Sequence, residues 1–268
     1  MRGYSAESLA LSKDRVSEVA GAGAGETVGE ELFAVADVLS TQGAIRRALT
    51  DPSASGDAKS SLVRALFGGK VGDSTIDVLV TAVSARWSSA ADMVDAVEHL
   101  GVLAVVISAE RADGLDDLED ELFRFGRVVA GDPRLRDAVT NKQVQASRRR
   151  DLVSSLLEGK ASSATTRLAV RAVASRERSF GTAIDSYQEV AAERRNRIIA
   201  VVRTAIDLTD PESDQLAAAL GRMYGREVHL NVVLDHGVLG GIRVELGDDV
   251  IDGTVAGRLD DARRRMTT

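Results

Sequence analysis

The chain has 268 residues with a net charge of −7 and no cysteine, so disulfides and thiolate chemistry are excluded and no global basic field points to nucleic acid. Hydrophobic residues reach 44% but aromatics only 3%, which suits a core of small aliphatic side chains, as in helical bundles. The length accommodates one large domain or two to three small ones.

The N-terminal stretch "MRGYSAESLALSKDRV" has no apolar segment of signal-peptide length. "GAGAGE", Gly21–Glu26, follows a helical pattern rather than a strand and lacks dinucleotide-loop spacing, so it reads as a flexible connector. Leu32, Val35, Ala36 and Leu39 then recur at i, i+3, i+4 and i+7, one face of a helix. Asp51-Pro52 and Gly68-Gly69 divide the next part of the chain into short helices. The longest apolar run, Leu100–Ala109, falls short of the roughly 20 residues of a membrane span and predicts a buried helix.

From there the chain repeats itself. A shift of 90 residues aligns Glu31–Arg86 with Glu121–Arg176 without a gap and gives 17 identities in 56 positions; unrelated segments of ordinary composition would give roughly 4. "LVRALFGGK" at Leu62 meets "LVSSLLEGK" at Leu152, and "AVSAR" at Ala82 meets "AVASR" at Ala172. The register predicts that Leu62 and Leu152 occupy equivalent core positions, and Leu122, Phe125 and Val129 repeat the apolar face of the first copy. Asp132-Pro133 and Gly159 punctuate the second copy.

The texture changes after "ERRNR", Glu193–Arg197. Ile198–Ile206 is short and β-branched, hence a strand. Thr209 and Glu212 have capping-box spacing, Leu216, Ala219, Leu220 and Met223 form a stripe, and Gly225 is a natural stop, hence a helix. Val228–Leu234 and Ile242–Leu246 alternate as strands, and Thr254–Met266 predicts a last helix capped by Asp252. The expected fold is mainly α: a duplicated helical-bundle domain, residues 1–112 and 113–197, followed by a small α+β domain, residues 198–268.

No motif that would carry chemistry is complete. Gly69-Lys70 and Gly159-Lys160 mimic a P-loop, but Arg64 and Ser154 stand where it needs glycine, and Val71 and Ala161 where it needs a hydroxyl. Both read as helix ends with a C-terminal cation. His99, His229 and His236 lack the partners of a metal site. Asp116-Asp117 and Asp248-Asp249 sit in helix-start or turn contexts. Arg148–Arg150 and the basic Arg194–Arg197 stretch have no interleaved aromatics and read as solvated helix faces or partner contacts. In Val232–Gly253, Gly237 suits a positive φ and Gly240-Gly241 a close backbone approach, with no converging nucleophile, base and oxyanion donor. No catalytic, cofactor-binding or metal residue is expected.

"LGGIRVELGDDVIDGTVAGRL", Leu239–Leu259, resembles the C-terminal signature of the delta subunit family of F-type ATP synthases, related to the mitochondrial oligomycin-sensitivity-conferring protein. Ala200–Asp235 is similar to the strand, helix and strand that precede it there. Members commonly carry one helical domain; two copies resemble the longer actinobacterial forms, and "YSAESLALSKDRV" matches the usual first helix only loosely. The resemblance implies a non-catalytic stator subunit without cofactor. It would link the alpha subunits of the catalytic head to the b-type peripheral stalk, and sit peripherally on the cytoplasmic face of the cell membrane. The alternatives are a general helical scaffold unrelated to the synthase and an enzyme with a small α+β ligand domain.

Overall fold

The computed structural model describes residues 3–195, 197–206, 208–225, 227–235, 238, 240–246 and 249–252. The chain divides into two compact units, Met1–Ala192 and Glu193–Thr268.

The first unit is helical: α1 (Tyr4–Val19), α2 (Gly25–Thr41), α3 (Gly43–Thr50), α4 (Gly56–Phe67), α5 (Asp73–Ser84), α6 (Ala90–Arg111), α7 (Leu115–Gly131), α8 (Pro133–Thr140), α9 (Ala146–Leu157), α10 (Ser163–Ala172) and α11 (Phe180–Arg195), whose last turn crosses into the second unit. The duplication is visible in the boundaries. From α2 to α6, each helix begins 90 residues before its counterpart from α7 to α11. The caps repeat as well. Ser89 accepts from the Asp92 amide at the start of α6, and Ser179 from the Thr182 amide at the start of α11. After α3 the Asp51 carboxylate takes the Ser53 amide, and after α8 the Asn141 side chain takes the Gln143 amide.

The same shift carries α1 onto the middle of α6. Helix α6 is therefore the last helix of the first copy and the first of the second. It packs against α1, α2 and α10, and its apolar residues from Leu100 to Ala109 are buried, as the hydrophobic run predicts. One continuous apolar cluster runs through both copies, from Val16 to Ala191.

Three expectations need correction here. Gly21–Glu26 is no flexible connector. Ala20–Ala24 form a π-helical turn, Gly23 takes a φ of 105°, and Gly25 already starts α2. A Cβ on Gly25 would lie 2.7 Å from the Ala104 carbonyl oxygen, so the glycine permits close approach to α6. Second, Leu62 and Leu152 are equivalent but only partly buried, and the fully buried residues are their neighbours Val63 and Val153. Third, the packed stripe of the helix after the first strand is the buried Leu220 with the partly buried Leu216 and Tyr224, spaced by four, while Ala219 and Met223 face solvent.

The second unit holds a four-stranded sheet in the order β2-β1-β3-β4, with β1 at Arg197–Thr204, β2 at Glu227–Leu234, β3 at Ile242–Leu246 and β4 at Asp249–Asp252. Strand β1 runs parallel to β2 and antiparallel to β3. Helix α12 (Asp210–Tyr224) makes the crossover that the parallel pair requires. Its expected capping box forms between Thr209 and Glu212, and Gly225 ends it with a φ of 67°. Ala200, Val202, Leu220, Val228, Val244 and Leu246 make its core. Gly240 and Gly241 both take positive φ before β3, a conformation that favours glycine. The expected last helix, Thr254–Met266, lies outside the described residues, as do Gly237, His236, Asp248 and the Asp252 side chain.

Candidate functional site

The most developed polar site lies where the two helical copies meet. Along α2 run Glu26, Glu30, Phe33 and Asp37, spaced so that they share one side of the helix. Helix α10 answers with Arg167 and Arg171, four residues apart, and α9 with Arg150. Arg167 pairs with Glu26 at 3.2 Å and also with Glu30. Arg150 pairs with Asp37 at 3.1 Å.

Arg171 is the centre of the seam. Its side chain is only 4% exposed and sits 2.7 Å from Asp37 and 3.0 Å from Glu98 on α6. Its guanidinium lies 5.1 Å from the centre of the Phe33 ring, a cation–π distance. Burial opposes its charge, but the hydrogen bond and charge of Glu98, then the charge of Asp37, outweigh it and hold the guanidinium above its ordinary value. Tyr187 of α11 donates to Glu98 at 3.2 Å, and burial first and the Glu98 charge second push its phenol up. Arg176 bonds Asp95 at 2.5 Å and closes the edge.

Each copy also holds a carboxylate clasp. Glu31 accepts from the Gly72 amide and the Thr75 hydroxyl, at the start of α5. Ninety residues on, Glu121 accepts from the Ser162 amide and the Thr165 hydroxyl, at the start of α10. Burial resists ionisation of Glu121, yet the bonds from Thr165 and Ser162 hold its carboxyl below the usual range. Both acids stand at the N-terminus of another helix and replace its missing amide acceptors.

The residues singled out in the sequence do not converge. The Gly-Lys pairs close helices: Gly69 and Gly159 take positive φ, and Lys70 and Lys160 donate to the Leu66 and Leu156 carbonyls. Asp116 and Asp117 lie in the first turn of α7. Within the Arg148–Arg150 cluster Arg148 is exposed, as a solvated face would have it, while Arg149 and Arg150 bond within the helical unit. Arg149 donates to the Val139, Val144 and Val173 carbonyls, and Arg150 bridges the copies. His99 borders a cavity of about 400 Å³ shared with Leu9, Asp95, Glu98, Arg176 and Tyr187. Burial, then the Lys13 charge, lowers its pKa to about 4, so the imidazole is neutral. The His229 side chain and His236 lie outside the described part of the chain.

The arrangement is one of clasps and seams between helices. Among the described residues, no group of three or more His, Asp or Glu side chains is placed to hold a metal ion. The network around Arg171 has no local signature, because its partners lie 73 to 138 residues away in sequence.

A family model described as ATP synthase delta (OSCP) subunit matches residues 102–266, beginning in the middle of α6, the helix that opens the second copy. Curated relatives extend the likeness over both copies. An "ATP synthase subunit delta" of Streptomyces avermitilis is 44% identical, covering 99% of this chain and 98% of its own. One from Streptomyces griseus is 45% identical over 99% of each chain. One from Kineococcus radiotolerans is 47% identical over 92% of this chain and 89% of its own.

Proposed function

The chain belongs to the ATP synthase delta (OSCP) subunit family, and from that premise we propose that it is a non-catalytic stator subunit of an F-type ATP synthase. In this reading it works at the top of the peripheral stalk. The helical unit holds alpha subunits of the catalytic head, and the α+β unit holds the b-type stalk. The chain resists rotor torque, so that proton flow drives ATP formation instead of spinning the head. In this reading residues 113–197 and 198–268 are the helical and α+β domains of the family body and residues 1–112 an added helical copy; the match of the family model to residues 102–266 supports it. Among the described residues no helix is long and apolar enough to cross a membrane, so attachment at the cytoplasmic face runs through partners.

The observation that carries the reading is one chain with two compact units of different architecture, each with its own hydrophobic cluster. A tether needs two independent grips of this kind. Aliphatic helical faces suit helix-in-groove binding, and a sheet with a helix offers a different surface. The test uses membrane vesicles depleted of this chain and then supplied with the purified protein. Hydrolysis by the head persists throughout, and gradient-driven synthesis returns only on addition. Equal synthesis with and without the chain refutes the proposal.

A further inference from the structure

The duplication shows what its own uncovered face is built to receive. In the first copy, the Glu26, Glu30, Phe33 and Asp37 side of α2 is covered by α10. Ser163 and Arg167 meet its N-terminal half and Arg171 its C-terminal half, so the two helices run in the same direction. Phe33, between Arg171 of α10 and Gly101 of α6, is 9% exposed.

The counterparts on α7, 90 residues on, are Asp116, Asp120, Phe123 and Arg127. Two acids and the phenylalanine are retained, and the last acid has become a base. Here Phe123 is 54% exposed, with Arg127 at 5.9 Å from the ring centre. Asp120 is held by Arg124 in an exposed pair on its own helix, which exchanges for another cation at little cost.

A second copy of this chain does not fit. The counterpart of α10 in the first copy is α5, which places Asp73, Asp77 and Thr81 where α10 has Ser163, Arg167 and Arg171, and Asp77 is already paired with Arg15 at 2.8 Å. Head-to-tail docking would therefore bring an acid and a threonine, and neither of the two arginines of α10, to this side of α7.

We propose that the Asp116, Asp120, Phe123 and Arg127 side of α7 docks one helix of a different protein. That helix runs parallel to α7. It presents a lysine or arginine to Asp120, an apolar side chain to Phe123, and an acid four residues after the cation to Arg127. The existing seam between α2 and α10 supplies the geometry, and the change from Asp37 to Arg127 sets the altered charge order.

The probe is a fluorescent, helix-stapled peptide of Ser162–Ala174 carrying Arg171→Glu, titrated with the full-length protein. Saturable binding is expected below about 1 mM. It should weaken about tenfold in Phe123→Ala and in Asp120→Lys, a loss of about 1.4 kcal/mol each. Binding of a peptide that also carries Arg167→Glu should recover on Asp120→Lys. Phe123 is exposed, so its variant should melt with the wild type and report binding alone. Absence of binding at 1 mM, or equal binding by all variants, overturns the proposal. So does a concentration-dependent dimer of the chain that Phe123→Ala abolishes, which would give the face to a second copy.

Discussion

Replacing Arg171 by alanine strands Glu98, which is buried and otherwise has the Tyr187 hydroxyl and the Arg176 amide for company. The expected loss is about 3–5 kcal/mol, because an unpaired buried charge costs more than its pair contributed. Arg171→Met with Glu98→Leu should recover much of it, a pattern that chemical denaturation of the two variants would display. Arg124→Ala, which breaks the exposed pair with Asp120, should cost at most about 0.5 kcal/mol. If the two arginine variants unfold alike, the buried seam is not the stabilising contact. His99 gives a pH signature of definite sign. Its folded pKa is about 4 against an ordinary 6.5, so below pH 6.5 the unfolded chain takes up a proton that the native chain refuses. Its contribution is full above 6.5 and is lost as the pH falls toward 4, by at most about 3 kcal/mol. Urea melts of wild type and His99→Leu across that window should diverge, the variant having the shallower dependence. Parallel curves would show that the imidazole is not held neutral.

Between elements, α2 and α6 approach closely, and glycine permits it. A Cβ on Gly101 would lie 2.6 Å from the Phe33 ring, and one on Gly29 would lie 2.6 Å from the Val105 side chain. The second copy has Glu119 and Ala191 at these positions. There α7 and α11 meet through side chains, with Phe125 edge-on to Phe180 at 6.0 Å. Gly101→Ala should therefore cost about 1–3 kcal/mol through displacement of Phe33. Gly131→Ala, with open space around it, should be neutral or stabilise by up to about 1 kcal/mol. Equal melting temperatures for the two would contradict the close approach. Legibility in the sequence divides along the same line. Apolar faces at helical spacing, such as Leu32, Val35, Ala36 and Leu39, are buried where the period puts them. The Thr209 capping box and the 90-residue repeat are local or self-referential patterns, and both are realised. Helix α1 was not legible. It buries Ser5, Ser8 and Ser12 and leaves Leu11 exposed, because the serines find Asp92, the Arg86 carbonyl and the Ser8 carbonyl as partners. The choice between Leu62 and Val63 also escaped the repeat, since both residues are identical in the two copies and only the packing tells them apart. The Arg171 seam escaped for a third reason, that its members come together only when the copies dock.

At the scale of the whole molecule, the decisive property is continuity between the two units. Helix α11 ends at Arg195 and β1 begins at Arg197, so a break after Arg195 removes no residue from either hydrophobic cluster. Each piece should keep its fold. The smaller, with a core of few residues, should melt cooperatively but at modest stability. Grip and transmission then become separable. Met1–Arg195 and Asn196–Thr268 are produced as separate chains in cells lacking the intact one. The helical piece is expected to travel with the catalytic head and the α+β piece with the stalk on the membrane. Neither piece alone can carry force from one to the other. Hydrolysis of ATP, which needs no anchored head, should persist. Gradient-driven synthesis, which requires the head to resist rotation, should fall sharply in the same vesicles, and the covalent chain should restore it. The comparison is internal, because both activities are read on one preparation and each piece is followed by its own fractionation. Full synthesis with two pieces that do not associate with one another would mean that this chain does not carry the torque, and the tether reading would fail even though both grips were real.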